Sequence, residues 1–259
     1  MDLGFNPGSV LFVSSRGDVA ALVAVNTTLS ACAGAVSAMF FSTWYDWYRT
    51  GEHTYDLGYT MNGCLTGLVA VTAGCATIDT WAAVLVGIGA GFFYLCGSKL
   101  LIRLRIDDAV DAIPVHMVGG AWGVVATGLL SRADLMVAAG LGNPEHVGWF
   151  YEWGRGSGDF TLMGAQLVGL LFILGWVSAV MGCYFGFLSW MGWLRIDPLE
   201  EEIGMDLSRH KGSAYTIEDV DRAKVEQLHE DRSNHSGSRR MSGAVKKEEP
   251  AEVGADVEA

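Results

Sequence analysis

The stretch from Ile106 to Leu130 limits what this chain can fold into more than any other part of the sequence. It opens with several carboxylates and then becomes almost wholly apolar, with His116 as the only ionisable residue inside the run. At about 1.5 Å per residue, a helix from Ala112 to Leu130 can cross the hydrocarbon core of a bilayer, about 30 Å thick. In such a helix Asp108 and Gly120 would share a face with His116. The stretch therefore predicts a membrane-spanning helix that carries a histidine.

Two interpretations of His116 follow from its position. A histidine at membrane depth is costly, and such residues mark paths for substrates, ions or protons. The alternative is a structural histidine that packs inside the chain and hydrogen-bonds to a neighbouring carbonyl. The spacing of the residues leaves both interpretations open.

Three acidic residues, Asp107, Asp108 and Asp111, open this helix. Negative charge is favourable at the positive end of a helix, so a structural role is favoured over a catalytic one. A two-carboxylate enzyme site needs facing groups, whereas these acids all lie at one helix end. The sequence offers no nucleophile–base pair and no metal-ligand spacing, so we expect neither an enzyme nor a bound metal or cofactor.

The distribution of charge indicates a membrane protein. Hydrophobic residues make up 51% of the 259 residues, and the charged residues fall between long apolar runs. The net charge of −12 argues against nucleic-acid binding. We predict a partial helix at Met1–Val13, loops at Trp44–Thr60 and Ser131–Asp159, and five full spans at Asp18–Phe41, Met61–Ile78, Trp81–Leu101, Ala112–Leu130 and Thr161–Trp190.

Basic residues suggest an orientation. A basic cluster that begins at Lys99 follows the third predicted span, and such clusters favour the cytoplasmic side. Alternation of the spans then places Arg49 and Arg195 on the cytoplasmic side, with Arg16 and Arg132 opposite. We therefore expect a transmembrane domain over 1–193, a cytoplasmic tail segment over 194–215, and a disordered tail of mixed charge over 216–259.

Four sequence blocks, in order along the chain, resemble the ammonium transporter family that includes the Rh proteins. They are GFNPGS (Gly4–Ser9), NGCLTGLVAVTAGCA (Asn62–Ala76), IDDAVDAIPVHMVGGAWG (Ile106–Gly123) and EIGMDLSRHKGSAY (Glu202–Tyr215). The resemblance implies an all-α polytopic membrane protein with eleven spans in two inverted halves. This chain would supply part of the sixth span, the seventh to eleventh spans and a cytoplasmic tail. We therefore expect a fragment, either a truncated gene model or one product of a split gene.

The resemblance also implies roles for individual residues. His116 would be the second of two paired pore histidines, Phe5 one ring of the outer gate, and Ser9 an oxygen that accepts hydrogen bonds from ammonium. Asn6, Asp108 and Asp111 would be structural residues or would lie at the pore mouth. For Phe5 the alternative is ordinary helix packing, and for Ser9 it is a hydroxyl bonded to its own backbone.

The tail block resembles a regulatory segment. In the family this segment packs against the cytoplasmic face of a neighbouring subunit in a trimer and can gate transport. Ser208 resembles a position that is phosphorylated in plant members, where a phosphate would add negative charge. An unmodified, solvent-facing serine is the alternative. The candidate regulatory residues are Gly204, Asp206, Ser208, His210 and Tyr215.

Two functions fit the resemblance. In the first, the chain conducts ammonium or ammonia through a histidine-lined pore, together with a first half that this sequence lacks. In the second, it is a non-transporting subunit that joins homo- or hetero-trimers of complete relatives and regulates them. In both cases we expect a multi-pass protein of the plasma membrane with a cytoplasmic C-terminus.

Overall fold

The structure, a computed structural model, describes residues 2–10, 15–141 and 145–205. Each regular element within these ranges is a helix, which confirms the predicted all-α class. A π-helical segment, Ile113–Val118, joins directly to the fifth α-helix. The α-helices are α1 (Asp2–Gly8), α2 (Gly17–Thr50), α3 (Leu57–Thr72), α4 (Thr80–Leu104), α5 (Gly119–Leu130), α6 (Ala133–Ala139), α7 (Trp149–Arg155), α8 (Thr161–Trp190) and α9 (Pro198–Ile203).

Four helical stretches in the described residues are long and apolar enough to cross a membrane. They are Gly17–Thr50, Thr80–Leu104, Ile113–Leu130 and Thr161–Trp190. The predicted span Met61–Ile78 is wrong at its end, because α3 has only 16 residues and stops at Thr72. The six residues that follow form turns.

An asparagine from α2 stabilises these turns. The Asn26 amide nitrogen donates hydrogen bonds to the carbonyls of Cys75 and Ile78, at 2.9 Å each. Asn26 is fully buried. Its amide satisfies carbonyls that have left the helical pattern, and burying such groups unpaired would be costly.

The long α2 corrects a predicted loop. Trp44–Thr60 was expected to be irregular, whereas α2 continues to Thr50 and α3 begins at Leu57. Gly51 ends α2 in the left-handed conformation, with φ of 79°, as is common at helix C-termini. The predicted loop Ser131–Asp159 likewise contains the short helices α6 and α7.

Small residues let α2 and α3 pack with their backbones in close contact. A Cβ on Gly34 would lie 2.5 Å from the Gly63 carbonyl oxygen, and the Ser30 hydroxyl donates to the Gly67 carbonyl at 2.8 Å. These pairings run in opposite directions along the two helices, so α2 and α3 are antiparallel. Contact between small residues is typical of helix association in membranes.

The helix α4 packs on α2 in the parallel direction, since Gly87 lies against Ser30 and Gly91 against the residues one turn further along α2. The C-terminal ends of α2 and α4 therefore lie together. This places Arg49 at the same end as Lys99, as predicted. Arg16 precedes α2 and lies at the opposite end.

The chain divides into two compact units between Val177 and Ser178, within α8. The first contains α1 to α7 and the beginning of α8. In the second, α8 ends at Trp190 and α9 follows, with an ion pair between Arg195 and Glu201. The predicted limits at residues 193 and 215 stay predictions.

Candidate functional site

The predicted span Ala112–Leu130 agrees with the observed helical stretch Ile113–Leu130, but the aspartates expected in its first turn lie before it. Asp108 lies outside it and accepts hydrogen bonds from the backbone nitrogens of Ala112, at 2.9 Å, and Ile113, at 2.7 Å. This carboxylate satisfies donors that the first helical turn leaves unpaired. The expectation that Asp108 shares a helical face with His116 is therefore wrong, because Asp108 is not part of the helix.

Asp111 links the start of this segment to α4. Its carboxylate accepts a hydrogen bond from the Tyr94 hydroxyl at 2.7 Å and one from the Ser98 hydroxyl at 3.1 Å. Asp111 has a φ of 56°, a conformation that Asp tolerates better than most residues. Both aspartates thus have visible structural partners, consistent with the structural role favoured from the sequence.

His116 lies in the π-helical segment, and its side chain is exposed. In the described structure the ring is therefore not packed inside the chain, as the structural alternative required. Pro114 and Val115, just before it, are buried, and the wider π turn changes which residues face outward. Short π segments within α-helices are frequent at functional sites.

The His116 segment packs along α3. A Cβ on Gly119 would lie 2.6 Å from a Thr66 methyl carbon, and Gly123 lies against the backbone of Ala70. Contacting residues of α3 and α5 increase in number in the same direction, from Thr66 with Gly119 to Ala70 with Gly123, so the two helices are parallel. His116 therefore lies roughly level with Gly63.

An exposed stripe of α3 runs beside His116. It comprises Leu65, Val69 and Thr72, which share a face because they are separated by four and three residues. Leu65 and Thr72 are exposed, and Val69 is half-buried next to Gly120. We call these three residues the α3 stripe; His116 and Gly120 form one of its borders.

The helix α1 contacts the α3 stripe at its Thr72 end. The Asn6 side chain is 5% exposed, and its amide donates to the Thr27 hydroxyl at 3.2 Å and to the Thr72 hydroxyl at 3.4 Å. Phe5 is 63% exposed. The Ser9 hydroxyl, one turn further on, donates to the Phe5 carbonyl at 2.7 Å. Asn6 thus anchors α1, while Phe5 and Ser9 remain accessible.

Ser9 and His116 are not in contact. Ser9 lines a cavity of about 340 Å³ whose wall includes Asn6, Arg16 and Cys75 but not His116. Asn6 bonds to α3 at Thr72, whereas His116 lies level with Gly63. These levels differ by about nine residues, or about 14 Å along α3. The predicted site residues therefore lie along one helix rather than around one point.

A charged network joins the start of α4, the segment after α5, and α7. Arg132 pairs with Asp79 at 2.6 Å and with Asp134, and the Tyr151 hydroxyl donates to Asp79 at 2.8 Å. Burial and the bond to Asp79 raise the pKa of Tyr151 to about 12. The pKa of Asp134 is lowered, chiefly by its hydrogen bond from Arg132. This network fixes the end of the structure that also carries the Ser9 cavity.

The tail candidates fall mostly outside the described residues. Gly204 is described, with φ of 91°, and its nitrogen donates to the Glu200 carbonyl at 2.9 Å. The others, Asp206, Ser208, His210 and Tyr215, lie outside the ranges that the structure describes.

Two important buried residues were missed from the sequence. Asn26 and Tyr94 both lie in apolar spans, and both bond to groups outside their own helix. For Asn26 a signal existed, because a strongly polar residue within a span usually has a specific partner. Tyr94 gave no such signal, since the ring of a tyrosine can pack in an apolar span like any other aromatic side chain.

The fold defines a helical membrane protein with several spans, and comparison with known proteins gives its family. The model of the ammonium transporter family matches residues 3–215, so the chain belongs to that family. It is 39% identical over 222 residues to a relative from Synechocystis and 35% identical over 212 residues to the ammonium transporter Amt2 of Archaeoglobus fulgidus. These matches cover 83% and 82% of this chain but only 44% and 42% of the relatives.

Solved structures agree with this assignment. A structure titled sensor Amt protein matches with a TM-score of 0.63 at 27% identity, covering 80% of this chain and 45% of that one. A Candida albicans Mep2 mutant matches with a TM-score of 0.62 at 26% identity, covering 75% of this chain and 45% of that one. The chain thus spans less than half the length of the relatives it matches.

Proposed function

We propose that this chain forms one half of an ammonium-conducting pore and that the α3 stripe lies along the conduction path. The observation that carries the proposal is the exposed His116 ring beside a stripe that is apolar at Leu65 and Val69 and ends at Thr72, where Asn6 of α1 binds. Exposing an imidazole to lipid would be costly. Further helices that cover the stripe would enclose His116 within a narrow channel instead.

The chemistry of Ser9 suits a cation that can only donate hydrogen bonds. Ammonium has four N–H donors and no lone pair. The Ser9 hydroxyl donates its hydrogen bond to the Phe5 carbonyl. Its oxygen lone pairs therefore remain free to accept hydrogen bonds from a substrate. The exposed Phe5 lies one helical turn before Ser9, and its ring would close the path there. The backbone-bonded alternative for Ser9 is thus compatible with substrate binding.

His116 would act deeper in the path. A neutral imidazole has one N–H donor and one acceptor nitrogen, so it can accept a hydrogen bond from ammonium or exchange a proton with it. Potassium has a similar size and charge but no proton to give. Selectivity at His116 would therefore come from hydrogen bonding and proton release.

We further propose that the working protein is a trimer in the plasma membrane with the tail on the cytoplasmic side. Phosphorylation of Ser208 would add negative charge beside Asp206 and weaken docking of the tail segment. Family membership supports these proposals.

Growth of cells that lack ammonium uptake tests the proposed function. The chain is co-expressed with the first five spans of a complete relative, and the pair should restore growth on low ammonium. The same pair with His116→Ala should lose uptake about a hundredfold if the imidazole handles a proton. Met117→Ala alters the exposed neighbour and is the matched control; it should retain uptake.

Membrane insertion of each variant is checked in parallel. A correctly inserted pair that never restores growth, or an H116A pair that grows normally, would contradict the proposed function. The non-transporting regulatory role is favoured if the pair does not transport but co-expression of this chain with a complete relative changes that relative's ammonium uptake.

A further inference from the structure

The shared end of α2 and α4 has the composition of a membrane–water interface. The last two turns of α2 carry four exposed aromatic residues, Trp44, Tyr45, Trp47 and Tyr48, whose exposed fractions range from 36% to 79%. Trp and Tyr concentrate at the level of lipid headgroups, because their rings are apolar and their edges polar. Since α4 runs parallel to α2 and ends beside it, its last turns lie at the same depth.

A basic pocket opens at this level. Its volume is about 670 Å³, and its lining residues are Tyr45, Arg49, Cys96, Lys99, Leu100, Ile102 and Arg103. Three of these side chains are cationic and none is acidic. We call it the basic pocket.

Lys99 is held in place at the wall of the pocket. Its ammonium donates a hydrogen bond to the Tyr59 hydroxyl at 2.8 Å and lies over the rings of Tyr59 and Tyr45, at 4.6 and 4.9 Å from their centroids. An ammonium has three N–H donors, so two remain for a ligand. The geometry holds the charge without neutralising it.

The two arginines of the pocket are available to a ligand. Within the described residues, neither Arg49 nor Arg103 forms an ion pair or a side-chain hydrogen bond. Basic residues near a helix C-terminus also offset the helix dipole, which is the structural alternative. The C-terminal end of each helix carries about half a negative charge. The C-terminal ends of α2 and α4 together therefore offset about one of the three cationic charges. A net positive charge of about two remains.

We propose that the basic pocket binds the phosphate of an anionic phospholipid. The phosphate would accept hydrogen bonds from Lys99, Arg49 and Arg103. The exposed Leu100 and Ile102 form an apolar wall next to the cations, where an acyl chain can lie. A free phosphate ion would use the cations but gain nothing from this wall or from the aromatic band. Basic pockets between spans commonly bind anionic lipid headgroups.

Lipid binding to the purified full chain tests this assignment. Native mass spectrometry in detergent would compare the binding of phosphatidylglycerol and phosphatidylcholine with matched acyl chains. The chain should prefer phosphatidylglycerol. Arg103→Gln and Arg49→Gln should each weaken phosphatidylglycerol binding about fivefold, as expected for loss of one cation near a lipid surface. Phosphatidylcholine binding should not change.

Arg105→Gln is the matched control, because Arg105 lies two residues from Arg103 but does not line the pocket. It should leave the preference intact. Equal binding of the two lipids, or equal losses in R105Q and R103Q, would overturn the assignment. So would displacement of the lipid by millimolar inorganic phosphate, which would show a free-anion site. Arg49 and Arg103 have no ion-pair or side-chain hydrogen-bond partners among the residues that the structure describes, so these variants should fold, and thermal unfolding would verify this.

Discussion

The close contact between α2 and α3 makes Gly34→Ala the most informative change to the fold. The new methyl carbon would lie 2.5 Å from the Gly63 carbonyl oxygen and 3.1 Å from the Gly67 Cα. Carbon and oxygen atoms in such contacts normally stay about 3.3 Å apart, so the helices must separate by about 0.8 Å. Both obstructing atoms belong to the backbone, and a rotamer change cannot relieve the clash.

The cost can be worked from this separation. Overpacking costs about 1–3 kcal/mol. The hydrogen bond from Ser30 to the Gly67 carbonyl, now 2.8 Å, would lengthen beyond bonding distance and lose about 0.5–1.5 kcal/mol. Alanine returns up to about 1 kcal/mol through its higher helix propensity. We therefore expect Gly34→Ala to reduce the free energy of unfolding by about 0.5–4.5 kcal/mol.

Equilibrium unfolding of the purified chain in mild detergent measures this difference. Gly169→Ala in α8 is the matched control, because a Cβ there meets nothing within 4 Å. That variant should be unchanged or more stable by up to about 1 kcal/mol. If G34A is as stable as G169A, the α2–α3 contact is not as close as described and the reasoning fails.

Three further changes test the polar contacts, each by the same unfolding measurement. Asn26→Ala should cost about 2–4 kcal/mol, because it leaves two buried carbonyls unpaired. Tyr94→Phe should cost about 1.5–3 kcal/mol, because it removes a hydrogen bond to the Asp111 carboxylate. Hydrogen bonds from Thr161 and from His146 lower the pKa of Asp159 to about 2, below its ordinary value of 3.8. The charged Asp159 thus stabilises the fold above about pH 4, and this contribution disappears as the pH falls toward 2. As the pH falls from about 4 to 2, the free energy of unfolding of the Asp159→Asn variant should therefore decrease less than that of the parent chain.

Matched controls accompany these changes. Thr28 is exposed and bonds only to its own helix, so Thr28→Ala should cost under about 0.5 kcal/mol. Tyr48 is exposed, and Tyr48→Phe should be neutral. Equal effects in a variant and its control would show that the buried contact contributes nothing. A D159N profile that parallels the parent between pH 4 and 2 would refute the titration argument.

Long apolar runs were predictable from the sequence because burial in lipid needs only length and composition. The span Thr161–Trp190 was predicted with its observed limits, and Trp81–Leu101 differs from α4 by a few residues. The end of α2 was missed because its aromatic residues were interpreted as a loop, although Gly51 gave a usual helix-stop signal.

The sequence could not give the geometry around His116. The π turn depends on how Pro114, Val115 and Asp111 fit against α4, and periodicity assumes a regular helix. The end of α3 depends on Asn26, which is distant in sequence. His116 itself was predictable as a residue of interest, but its exposure depends on tertiary packing.

Ammonium currents from proteoliposomes test the central claim most directly. The chain and a complementary first half are purified together and reconstituted, and an ammonium pulse is applied on a solid-supported membrane. We predict a current that H116A lowers about a hundredfold and that M117A leaves intact. Equal currents from the parent and the H116A pair would show that His116 does not line the path.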